Sequence, residues 1–102
     1  MTPRAVSSIH PDVIRTIRSK PLRGFFETGK ASGLSVKNVE RVGRILRALD
    51  DAKKPEDMNL PAFHFHGLRG EPRWSVRVTG NWRITFAWDG QDAIDVDLED
   101  YH

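Results

Sequence analysis

The stretch that decides the fold runs from Trp74 to Leu98, WSVRVTGNWRITFAWDGQDAIDVDL. Trp74, Val76 and Val78 alternate with Ser75, Arg77 and Thr79. Trp82, Ile84, Phe86 and Trp88 alternate with Arg83, Thr85 and Ala87, and Ile94, Val96 and Leu98 alternate with acids. A period of two is the signature of strands with one apolar face, so three successive strands are predicted. A slip of one residue would carry an entire apolar set to the wrong face, which makes the register arguable. Matching the apolar faces calls for Thr79-Gly80-Asn81 and Asp89-Gly90-Gln91 as three-residue turns. They pair Val78 with Trp82, Val76 with Ile84, Phe86 with Ile94 and Ile84 with Val96. On the opposite face this register sets Arg77 beside Arg83, and Arg83 beside Asp97. Phe63 and Phe65 alternate with His64 and His66, which predicts a further short strand with both histidines on a common face.

Upstream, Val13 to Arg18 is a short β-branched run ended by Ser19, and Ser19-Lys20-Pro21 is a helix opening. Leu22, Phe25 and Phe26 recur at helical spacing until Gly29 supplies a left-handed stop. From Ser35, the pattern Val39, Val42, Leu46, Leu49 predicts an amphipathic helix, with Lys37, Arg41 and Arg44 on another face. A basic edge of this kind is ordinarily the solvated side of a helix. Asp50 to Pro61, with two prolines and several charges, reads as a connecting loop. The expected architecture is α+β, a twisted and mainly antiparallel sheet with the two N-terminal helices packed on its apolar face. The polar face is left for function.

At 102 residues, the chain has the size of one domain, residues 1–102, with 1–11 an N-terminal extension of no assigned role. The absence of cysteine excludes disulfides, thiolate nucleophiles and thiolate metal sites. No apolar run approaches a membrane span and the N-terminus lacks a signal peptide's apolar core, so the cytoplasm is the expected location. The net charge is only +2, but most Lys and Arg fall in the first half, whereas Asp89 to His102 carries acids and no Lys or Arg.

His64 and His66 lack further ligands to complete a metal site, so no metal or cofactor is expected. With His102, one carboxylate and the acidic C-terminal strand nearby, a metal-free acid-base site is easier to build, while His66 taken alone reads as a structural or surface residue. Arg77 and Arg83, adjacent like charges, repel unless an anion or a carboxylate lies between them. Pairing of Arg83 with Asp97 and a guanidinium cradle for phosphate both remain open at this point.

Three segments in order carry a resemblance: His66-Gly67-Leu68-Arg69-Gly70, Asn81-Trp82-Arg83-Ile84-Thr85-Phe86 and the terminal Glu99-Asp100-Tyr101-His102. With the helix from Leu22 to Gly29 they make the chain resemble HigB-type toxins of the RelE/ParE superfamily, from type II toxin-antitoxin systems. The resemblance spans roughly Ile14 to His102. It implies a microbial-ribonuclease-like fold and cleavage of mRNA in the ribosomal A site. It also implies inhibition by a HigA-type helix-turn-helix antitoxin, and contact with operator DNA only through the complex with that antitoxin.

By the family pattern, His102, with Asp100 and Tyr101, is assigned to proton transfer and orientation, and His66 to the opposite side of the scissile phosphate. Arg69 and Arg83 are assigned to phosphate binding, and Arg73 and Arg77 extend the surface toward ribosomal RNA. Strict alternation puts Asp100 and His102 on the apolar side, so a bulge or the strand's end is expected to intervene. Two rival readings keep the fold: a ParE-like inhibitor of a protein target such as gyrase, and a non-catalytic RNA or ribosome binder.

Overall fold

The computed structural model describes residues 14–100. Tyr101, His102 and the N-terminal extension lie outside the described residues. Two α-helices, α1 (Lys20–Thr28) and α2 (Val39–Asp51), precede a sheet of β1 (His66–Gly67), β2 (Arg73–Thr79), β3 (Trp82–Asp89) and β4 (Asp92–Asp100). The strands pair antiparallel in the order β1-β2-β3-β4. Beyond β4, the segment predicted as a first strand runs parallel to it through bridges Ile14–Ala93 and Ile17–Val96. The N–H groups of Arg15 and Arg18 donate to the carbonyls of Ala93 and Val96 at 2.8 and 2.7 Å. The α+β architecture is thus as expected.

Local chemistry accounts for both helices. The Ser19 hydroxyl accepts from the Leu22 N–H, proline occupies the first turn of α1, and Gly29 closes it at φ 80°. Helix α2 begins later than Ser35, because the Asn38 side chain caps it by accepting from the Arg41 N–H at 3.2 Å. Val36, ahead of that cap, is buried in the core. The expected loop from Asp50 to Pro61 contains a 3-10 turn, Pro55–Met58, that buries Met58. Leu22, Val42, Ile45, Leu46 and Leu49 from the helices join Val76, Ile84, Phe86 and Val96 of the sheet in one core. Trp74 stacks near Phe86, with ring centroids 6.1 Å apart.

The parity argument holds, but the loops are even. Thr79 pairs with Trp82 and Asp89 with Asp92, leaving two-residue turns Gly80-Asn81 and Gly90-Gln91. The extra residue that parity demands is moved into a bulge in each hairpin. In the first, Val76–Ile84 and Arg77–Arg83 pair as expected, and only Val78 loses Trp82 as its partner. In the second, the bulge falls at Asp95-Val96, with Asp95 at φ 51°. The Thr16 hydroxyl accepts the Asp95 N–H at 2.7 Å, and aspartate tolerates this left-handed region better than most residues.

That bulge corrects three expected pairings. Ala87 rather than Phe86 faces Ile94, Ile84 faces Leu98 rather than Val96, and Arg83 faces Glu99 rather than Asp97. It also transfers Ile94 to the polar face, opposite Ala87, while Ala93 and Val96 fill the core. Downstream of it, Asp100 stays in register with Trp82 and in step with Leu98. No irregularity among the described residues therefore turns Asp100 to the other face.

Candidate active site

The polar face is assembled from cross-strand rows. One row reads His66, Ser75, Thr85, Asp97, and the next reads Arg77, Arg83, Glu99. Alternation along β2 and β3 therefore brings His66, Arg77 and Arg83 to one surface, although they are distant in sequence. Asp100 ends β4, exposed and next to Glu99. Arg69 lies exposed in the turn between β1 and β2, where the Leu68 N–H donates to the Arg73 carbonyl at 2.8 Å.

Arg77 is exposed and Arg83 half-buried. The Arg83 guanidinium donates only weakly, to the carbonyls of Gly80 and Trp82 at 3.3 and 3.4 Å. Among the described residues, the ion pairs join Arg15 to Asp89 and Asp92, and Arg18 to Asp95. None of them involves Arg77 or Arg83. The pairing of Arg83 with Asp97 is not formed, since Asp97 faces Thr85. Glu99, the cross-strand neighbour of Arg83, accepts from the Thr85 hydroxyl and forms no ion pair with Arg83, so the two adjacent guanidiniums present positive charge suited to a phosphate.

Arg73 corrects the expectation of a surface contact toward RNA. Its side chain is buried, with 7% exposed. Its Nη2 donates to the Thr85 hydroxyl at 2.8 Å and to the Asp95 carbonyl at 2.9 Å. Thr85 in turn donates to the Glu99 carboxylate. Arg73 thus crosses β3 to secure the bulge of β4, while its Nη1 is buried without a partner. Because Thr85 and Ser75 are also buried, the centre of this face is packed rather than open.

His66 lies at the edge of the sheet, and its placement depends on the segment before it. The predicted strand from Phe63 is not formed, because His64 adopts φ 51° and the strand is confined to His66–Gly67. His64 therefore does not share a strand face with His66. Its carbonyl instead turns back to accept from His66 Nδ1 at 3.0 Å, while His66 Nε2 lies 3.4 Å from the Ser75 hydroxyl. No three His, Asp or Glu side chains gather as a metal site among the described residues. Ser75, Thr85 and Glu99 also lie on this face and are not singled out by the sequence reading. Their signal was period-two placement on the face of Arg77 and Arg83, which hydrophobic patterning alone treats as mere surface.

Two helices and a four-stranded antiparallel sheet in this α+β arrangement are the fold of a RelE-like toxin. The chain belongs to the family described as RelE-like toxin of type II toxin-antitoxin system HigB, which matches residues 15–102. It is similar to a curated relative, the Endoribonuclease HigB of Proteus vulgaris. The two are 37% identical over 92 residues, covering 88% of this chain and 100% of the relative. A toxin of such a system has an antitoxin as its partner. No helix among the described residues is long and apolar enough to cross a membrane.

Proposed function

We propose that the protein is an endoribonuclease that cuts mRNA in the A site of the 70S ribosome and so arrests translation. The observation that carries this reading is the presence, on one sheet face, of His66 and the Arg77–Arg83 couple, which joins no ion pair among the described residues even though Glu99 faces Arg83. The name of the Proteus vulgaris relative supports the same chemistry.

RNA cleavage without a metal requires three services. A base takes the proton of the 2′-hydroxyl as its oxygen attacks phosphorus. Cations stabilise the charge of the phosphorane. An acid then protonates the 5′-oxygen as the P–O5′ bond breaks, leaving a 2′,3′-cyclic phosphate and a 5′-hydroxyl end. His66 is one proton-transfer group and His102 the other, with Tyr101 and, from the end of β4 on the side of Leu98, Asp100 serving its orientation. Arg69, Arg77 and Arg83 hold phosphates, and Arg73 supports them from beneath the face. The site works in the cytoplasm, where the ribosome supplies the substrate. A HigA-type helix-turn-helix antitoxin restrains it and links it to operator DNA.

The test is to map mRNA ends during tightly controlled expression, comparing the wild type with His102→Ala. Cuts in frame within codons, lost in the variant, are expected. Growth arrest with intact mRNA overturns the nuclease reading and points to inhibition of a protein target.

A further inference from the structure

We propose that His64 is a positioning residue whose backbone, held in the left-handed region, dictates which nitrogen of His66 exchanges its proton. The inference deepens the nuclease reading and rests on it for its functional consequence, though not for its structural content.

The segment before His66 is held on both sides. Phe63 is buried, its carbonyl accepts from the Arg77 N–H at 2.7 Å, and the Arg41 guanidinium lies over its ring at 5.4 Å. Arg41 also donates to the carbonyls of Ala62 and Arg77. On either side of Phe63, Ala62 and His64 take φ values of 70° and 51°. Two non-glycine residues in this region within three positions are uncommon, and such conformations persist where the surroundings over-determine them.

The consequence is an i to i+2 contact from the His64 carbonyl to His66 Nδ1. A carbonyl can only accept, so Nδ1 carries hydrogen whether the imidazole is neutral or charged. Every proton that His66 takes or gives therefore passes through Nε2, the nitrogen beside Ser75 on the sheet face. The Ser75 hydroxyl can donate to a bare Nε2 or accept from a protonated one, so it suits both states. The role belongs to the His64 backbone and needs nothing from its imidazole.

The measurement is long-range 1H–15N correlation of the His66 ring in the wild type and in His64→Gly, His64→Asn and His64→Val, with cleavage rates on programmed ribosomes alongside. Glycine and asparagine enter the left-handed region readily, whereas a β-branched residue resists it. The wild type, His64→Gly and His64→Asn are expected to show the Nδ1–H tautomer and to cut at comparable rates. His64→Val is expected to lose the tautomer and at least ~10-fold in rate, as a catalytic imidazole does when held in the wrong tautomer. An Nε2–H tautomer in the wild type overturns the proposal, even if His64→Val fails to fold, and so does loss of the signature in His64→Gly. The tautomer is read without substrate, so an absence of cleavage by every variant condemns the nuclease reading and leaves this test standing.

Discussion

Arg77 and Arg83 face each other directly across the β2–β3 ladder, and neither joins an ion pair among the described residues. Opposed like charges destabilise a sheet, so the couple opposes folding slightly and is available to an anion. Arg77→Ala is therefore expected to leave stability within about 0.5 kcal/mol of the wild type. Arg83→Ala, which removes a donor from the charge that develops on the phosphorane, is expected to lower the single-turnover cleavage rate by about 100-fold or more. Thermal melts and rates on programmed ribosomes check the two halves separately.

Arg73 behaves in the opposite way. Its substitution by Met withdraws a buried donor from Thr85 and from the carbonyl of the Asp95 bulge. The expected loss is about 1–3 kcal/mol in denaturant unfolding, the cost of buried polar groups left without a partner. A double-mutant cycle with Thr85→Val should show coupling of about 0.5–3 kcal/mol, as residues sharing one network do. Additive effects would contradict the bridging role.

The bulge itself can be tested at Asp95. At φ 51°, Asp95→Gly is expected to be nearly neutral, whereas Asp95→Val should cost about 1–3 kcal/mol for a strained backbone. Chemical shifts at Thr85, Asp97 and Glu99 will report whether the register beyond the bulge is retained.

Phe86 is fully buried between Trp74 and Trp88, with ring centroids 6.1 and 6.2 Å away. Phe86→Ala leaves a cavity in the centre of the core, and about 3–5 kcal/mol of stability should be lost. Calorimetric unfolding measures it.

The features legible from sequence are those carried by short-range rules. Ser19 and Gly29 announce the ends of α1, and alternation from Trp74 to Leu98 yields three strands and the Arg77–Arg83 pair. Parity correctly demanded an odd residue in each hairpin, but turn chemistry could not say whether it lay in the loop or in a bulge. That choice is made by tertiary contacts. At Asp95 they come from Thr16, distant in sequence, and from Arg73 across β3. Arg73 was misread for a related reason. Alternation places it on the polar face, yet the row beyond it holds Ala87 and Ile94, and a polar face can be packed at its centre. The conformation of His64 carries no local signal either, since a histidine between two phenylalanines resembles a strand until Phe63 is drawn into the core.

The central claim is metal-free RNA cleavage by the face that carries His66, Arg77 and Arg83. Its most direct measurement is single-turnover cleavage of mRNA on purified, programmed 70S ribosomes with EDTA-treated toxin, comparing wild type with His66→Ala and identifying the new ends. The account predicts 2′,3′-cyclic phosphate and 5′-hydroxyl ends within the A-site codon, with the rate reduced at least ~100-fold in the variant, within the range for a positioned acid or base. Intact mRNA with the wild type, or undiminished cleavage by His66→Ala, would contradict it.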